Sequence, residues 1–181
     1  MMKSTIIILF ALLTIGCSTH QPIKTADYVE INRFMGKWYV IANIPTFIEK
    51  NAFNAVETYR QNEDGTIATT FQYNKGGFDG ELVEYHPVGT IVDKKSNAIW
   101  KMQFIWPFKA DYRVMHIDED YSITVIGRTK RDYVWIMART PEVSDEMLQK
   151  MLEIVQQAGY DPNQVQIVPQ RKKSKNMVWR T

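Results

Sequence analysis

The sequence predicts an all-β fold, an eight-stranded antiparallel up-and-down barrel with one external C-terminal α-helix and a short ninth strand. Three observations carry the prediction. From Gly36 onward, stretches of alternating apolar and polar residues recur at roughly ten-residue spacing, the period of half-buried strands. Residues rich in Gly, Asn and Asp separate them, as tight connections require. The single helical pattern, from Ser144 to Ala158, arrives only after the last long strand.

The strands read in order as Gly36 to Ile44, Asn54 to Gln61, Thr66 to Asn74, Leu82 to Asp93, Ala98 to Ile105, Asp111 to Asp118, Tyr121 to Gly127 and Tyr133 to Arg139. Parity divides their faces. Trp100, Met102 and Phe104 alternate with Lys101 and Gln103, and Ile67, Phe71 and Tyr73 oppose Ala68, Thr70 and Gln72, so these aromatics share an interior.

Tyr133 to Arg139 is apolar on both faces, so its outer face needs a cover. The helical segment supplies one. Ser144 is a good N-cap, Asp145 and Glu146 suit the positive helix start, and Met147, Leu148, Met151, Leu152 and Val155 form one stripe before Gly159 ends it. Gln164 to Val168 adds the ninth strand.

Ahead of the barrel, Lys3 and the apolar run Thr5 to Ile15 have the layout of a secretory signal, and the run is too short to span a bilayer comfortably. It ends at Gly16-Cys17, and Cys17 is the sole cysteine of the 181 residues, which excludes an internal disulfide. Thr14-Ile15-Gly16-Cys17 resembles the bacterial lipoprotein lipobox. The resemblance implies a diacylglyceryl group and an N-acyl (palmitate-type) chain on Cys17, enough for firm membrane anchoring. Ser18 after the cysteine is similar to the outer-membrane sorting signal. The expected organisation is a signal peptide over 1–16, a linker to the lipid anchor over 17–27, a barrel domain over 28–170 and a basic, disordered tail over 171–181.

Net charge is +2, but Arg171, Lys172, Lys173, Lys175 and Arg180 concentrate positive charge in the tail, leaving the barrel region acidic at about −4. The tail has two readings, a solvated extension or a contact with anionic head groups. Nucleic acid is set aside, because the basic residues do not cover a folded face with interleaved aromatics. His20, His86 and His116 lack metal spacing, and no serine elbow, phosphate loop or zinc motif occurs. No metal, no cofactor and no catalytic residue is assigned, and the expectation is a protein that is not an enzyme.

Gly36-Lys37-Trp38-Tyr39 at the first strand, Asp120-Tyr121 at the turn into the seventh and Arg139 closing the eighth resemble the three signatures of the lipocalins, in chain order and at matching elements. With Trp135-Ile136-Met137-Ala138-Arg139-Thr140-Pro141 and Trp106-Pro107-Phe108, the resemblance is to the bacterial outer-membrane lipocalins and apolipoprotein D. It spans about Tyr28 to Pro169. Glu119 departs from the Thr that many members have before Asp-Tyr. The resemblance implies that Gly36, Trp38 and Arg139 close one end of the barrel, the guanidinium lying across the indole.

It also implies an interior cavity for a fatty acid or lysophospholipid, stored or transported, on the periplasmic face of the outer membrane, and it leaves a homodimer open. The cavity residues expected from parity are Val40, Ala42, Phe71, Tyr73, Trp100, Met102, Phe104, Tyr112 and Val114. The same residues suit a dry, filled barrel, as in a structural envelope lipoprotein, because eight-stranded barrels occur in both forms. An enzyme acting on a lipid is the third reading.

Overall fold

The computed structural model describes residues 22–171. The segment read as a signal, Cys17 with its lipobox, and residues 172–181 of the tail lie outside the described residues.

Ten strands form one antiparallel sheet that closes on itself. They are β1 (Gly36–Ile44), β2 (Ala52–Gln61), β3 (Ile67–Lys75), β4 (Leu82–Tyr85), β5 (Val88–Ile91), β6 (Ile99–Ile105), β7 (Phe108–Ile117), β8 (Ile123–Gly127), β9 (Val134–Ala138) and β10 (Gln166–Ile167). The order runs β1-β2-β3-β5-β6-β7-β8-β9, and β9 pairs back onto β1, with Tyr39 opposite Ala138 and Ile44 opposite Val134. That ring of eight is the barrel; β4 pairs antiparallel with β3 ahead of β5, and β10 lies on β1 at Ala42 and Asn43.

The expected strand Leu82 to Asp93 is two strands, and Pro87 explains the break. Proline has no N–H for the ladder. Its carbonyl still accepts from the Thr69 amide at 3.0 Å, so the chain bends without leaving β3. A short helix missed by the sequence reading, α1 (Ile31–Phe34), precedes the barrel and buries Phe34 completely.

Two apolar layers result. The inner one holds Phe34, Trp38, Tyr59, Ile67, Trp100 and Met137, among others. The outer one lies between the barrel wall and α2 (Asp145–Gln157), whose fully buried Met151 and Val155 meet Val134, Ile136 and Ala138. Each such burial contributes about 1.5–3 kcal/mol. Ser144 caps α2, its hydroxyl accepting from the Met147 amide at 3.1 Å.

Within the span 17–27 expected as a linker, the chain from Ile23 on packs against the barrel. Ile23 is buried in the outer layer, and the Ala26 amide donates to the Val114 carbonyl at 2.9 Å. Arg171, the first residue of the expected tail, is also placed: its amide donates to Asn54 Oδ1 at 2.7 Å, and its guanidinium pairs with Asp79 and covers Phe78.

Candidate functional site

One end of the barrel is plugged. The Arg139 guanidinium carbon lies 3.7 Å from the centroid of the Trp38 ring, and Trp38 is fully buried. Trp38 Nε1 donates to the Phe34 carbonyl at 2.8 Å. Arg139 Nη2 donates to the Arg33, Phe34 and Met35 carbonyls at 2.7, 3.2 and 2.9 Å, and Nη1 donates to the Lys37 carbonyl at 2.8 Å. One side chain therefore satisfies the carbonyls that α1 leaves open at its C-terminal end. Burial lowers the Arg139 pKa from its ordinary value, and the carbonyl cage supplies the compensation.

Gly36 enters β1 at φ +91°, a left-handed conformation that costs an L side chain strain. A Cβ there would meet Arg139 Nη1 at 3.5 Å, an ordinary contact, so backbone conformation rather than crowding demands the glycine.

The turn carrying Glu119 is held by its neighbour. The Asp118 carboxylate accepts from the Ser122 and Ile123 amides at 2.7 and 3.0 Å. Its pKa falls because these bonds outweigh burial, which alone raises it. Arg33 donates to the Glu119 carbonyl at 2.7 Å and stacks 4.2 Å over Tyr121, and the Glu30 amide donates to the Tyr121 hydroxyl at 2.8 Å. The middle motif thus fastens α1 to the closed end.

Above this plug the interior is hollow, with a cavity of about 450 Å³ that opens at the other end, between the loop 45–51, the β6–β7 hairpin and the β8–β9 turn. That volume lies within the range of about 300–1,000 Å³ typical of small-molecule sites. Its wall is mostly apolar, with Phe71, Tyr85, Pro87 and Met102 along the barrel. The rim carries Phe47, Phe104, Ile105 and Phe108, all exposed, with Phe47 at 79%. Lys109, exposed, and Arg128 stand at the same rim.

Of the nine residues expected in a cavity, Phe71, Met102, Phe104 and Tyr112 line it. Phe104 does so from the half-exposed rim, where a register shift follows Met102. Val40, Tyr73, Trp100 and Val114 are buried in the inner layer, and none of them lines the cavity. Trp100 packs edge-on to Phe34 in the plug at 5.4 Å, and the Tyr73 hydroxyl donates to the Ile48 carbonyl, drawing the 45–51 loop over the barrel. Ala42 is a correction. A bulge in the pairing with β9 between Val40 and Ala42 reverses parity, so Ala42 joins the outer layer under α2 while Asn43 is buried.

Three carboxyl groups on the cavity wall escaped the sequence reading: Glu49, Glu57 and Asp111, the last paired with Arg113 at 2.9 Å. Glu49 accepts from Trp135 Nε1 at 2.7 Å and from the Thr46 amide at 2.9 Å, which fixes the loop to the barrel. Glu57 stands opposite Trp38 on β1 and Phe71 on β3, near the cavity floor. One of its oxygens accepts from the Tyr59 hydroxyl, which lies 2.8 Å from the Tyr112 hydroxyl. Burial and the Glu49 charge push the Glu57 pKa up to about 8. The signal in the sequence was parity: Glu57 shares a face with Ala55 and Tyr59. Among the described residues, no group of three or more His, Cys, Asp or Glu side chains is placed to hold a metal.

Comparisons with known proteins agree with this architecture. The chain is 34% identical over 154 residues to temperature-induced lipocalin-1 of Arabidopsis thaliana, covering 78% of this chain and 80% of that one. It is 29% identical over 174 residues to the outer membrane lipoprotein Blc of Vibrio cholerae, covering 94% of this chain and 100% of that one. Insecticyanin of the tobacco hornworm Manduca sexta superposes with a TM-score of 0.65 at 12% identity, over 82% of this chain and 84% of that one, a likeness of fold alone. The family model described as a lipocalin-like domain matches residues 29–170, and the chain belongs to the lipocalin family.

Proposed function

We propose that the protein is a lipid-anchored lipocalin of the outer membrane that carries one apolar ligand, a fatty acid or a lysophospholipid, in its barrel and returns it chemically unchanged. The observation that carries this reading is the cavity of about 450 Å³, apolar along its wall and open at one end. A filled structural barrel has no such space. Each methylene that moves from water into the cavity contributes about 0.8 kcal/mol, so a long acyl chain offsets the cost of association.

Polarity along the cavity supports an orientation. Lys109 and Arg128 at the rim favour a phosphate or carboxylate there, in water, with the chain running down past Met102 and Phe71. Support for the anchor is the Gly16-Cys17-Ser18 pattern together with the Vibrio cholerae relative, itself called an outer membrane lipoprotein. In this reading Cys17 holds the barrel on the periplasmic face, for storage or transport of membrane-derived lipid.

The test is native mass spectrometry of the protein purified from cells, followed by titration with a lysophospholipid and a fatty acid. The expected result is one lipid per chain, displaced with its mass unaltered. Lipid recovered with a changed mass speaks for an enzyme, and a barrel that refuses both ligands speaks for a structural lipoprotein.

A further inference from the structure

We infer that the floor of the cavity is a hydrogen-bonding subsite, built from Glu57, Tyr112 and Thr69, that takes an uncharged hydroxyl carried near the buried end of the ligand's chain. The inference rests on the carrier reading above and deepens it by naming a class of ligand, a hydroxylated acyl chain.

Three strands bring these groups together. Glu57 comes from β2, Thr69 from β3 and Tyr112 from β7, and all three line the cavity. Thr69 pairs with Tyr59 across β2–β3, so it stands on the level at which the Glu57–Tyr59–Tyr112 chain crosses the barrel. Thr69 is 3% exposed, and its hydroxyl has no hydrogen-bond partner. A buried hydroxyl without a partner is destabilising, and a ligand that supplies one recovers that cost.

Proton accounting on the chain defines what the ligand must offer. Tyr59 donates its single proton to Glu57, so its oxygen accepts from Tyr112. The Tyr112 lone pairs and the second oxygen of Glu57 are left over from that chain at the cavity wall, and the Thr69 hydroxyl, buried within the same wall, has no partner either. Together they offer both donors and acceptors, the complement of an alcohol, which donates once and accepts twice. A carboxylate is disfavoured because the floor offers no cation, Lys109 and Arg128 standing at the open rim, and the Glu49 charge already bears on Glu57. An ammonium is disfavoured because burial keeps Glu57 protonated at neutral pH. A bare methyl terminus would sit against a carboxyl and two hydroxyls and satisfy none of them.

The experiment compares hexadecanoic acid with 16-hydroxyhexadecanoic acid, titrated into the full chain in a fluorinated surfactant and read by native mass spectrometry. A purely apolar floor favours hexadecanoic acid, because the terminal hydroxyl must lose its water. The proposed floor reverses that order, with the hydroxy acid binding about tenfold more tightly. Glu57→Leu should abolish the reversal while hexadecanoic acid still binds, and Glu57→Gln, which keeps a donor and an acceptor, should retain most of it. Thr69→Val, isosteric and placed on another strand, should reduce it independently should the leucine variant fold poorly. If the two acids bind the native protein alike, or hexadecanoic acid binds better, the inference is wrong and the carrier reading stands. If neither acid binds, the carrier reading itself fails.

Discussion

Arg139 lies 3.7 Å above Trp38 and at the same time donates to four backbone carbonyls between Arg33 and Lys37, so one guanidinium fixes both the indole and the helix that plugs the barrel. Lysine keeps the charge but has neither the planar fork nor the stacking face. Arg139→Lys should lower the unfolding free energy by about 2–3 kcal/mol, read as a reduced urea midpoint with an unchanged slope.

Trp38→Ala removes the centre of the plug and should cost about 3–5 kcal/mol. In a double-mutant cycle, Trp38→Phe and Arg139→Lys should show a coupling of about 0.5–2 kcal/mol. Additive effects would mean that the stacking seen here carries no energy.

Much of this architecture is legible in the sequence because strand parity and turn chemistry are local. Phe71, Trp100 and Met102 are inward by alternation alone, and α2 follows from its cap and stripe. What escaped depends on register. The bulge after Val40 sends Ala42 to the outer layer, and no single-strand pattern contains it. Pro87 announced the break between β4 and β5, yet the alternation on either side of it suggested one strand.

Glu57 escaped for another reason. A carboxyl on an inward parity is expensive unless something on another strand receives it, and here that is Tyr59 and, through it, Tyr112. The same logic runs at the plug, where the motif residues Trp38 and Arg139 could be placed by resemblance, but the α1 carbonyls that they satisfy become visible only in three dimensions.

Asp111 should govern acid stability. Burial alone raises its carboxyl, but hydrogen bonds from the Thr129 hydroxyl and amide, at 2.6 and 2.9 Å, and the Arg113 guanidinium at 2.9 Å hold it at about 2. Because its pKa is lower folded than unfolded, its contribution is complete above about pH 4 and is lost as pH falls toward 2. Asp111→Asn should cost about 1–2 kcal/mol at pH 7 and almost nothing at pH 2, as measured by urea unfolding at the two pH values.

Closing the cavity should remove binding without removing the fold. Ala110 lines the cavity opposite Met102, and Ala110→Trp there would fill space that an acyl chain occupies. Losing contact with two or three methylenes weakens binding about 30-fold. The variant should keep its urea midpoint, and lipid titration by native mass spectrometry should show the loss.

Glu57 should act at the opposite end of the pH scale from Asp111. Its carboxyl is raised to about 8 by burial and by the Glu49 charge, and it accepts from the Tyr59 hydroxyl, which in turn meets the Tyr112 hydroxyl at 2.8 Å. Between its unfolded value of 4.5 and about 8, the folded protein holds a proton that the unfolded chain releases. Stability attributable to this group therefore falls as pH rises through that window and levels off above it, by roughly a few kcal/mol in all. Glu57→Gln carries no titrating proton and should flatten the decline, gaining most on the native protein near pH 8 and least near pH 5. Urea midpoints of both proteins at pH 5, 6.5, 8 and 9 measure this directly. Parallel profiles would mean that water or a cation reaches the floor and keeps Glu57 ionised, in which case the cavity's closed end is an anionic site rather than a neutral one.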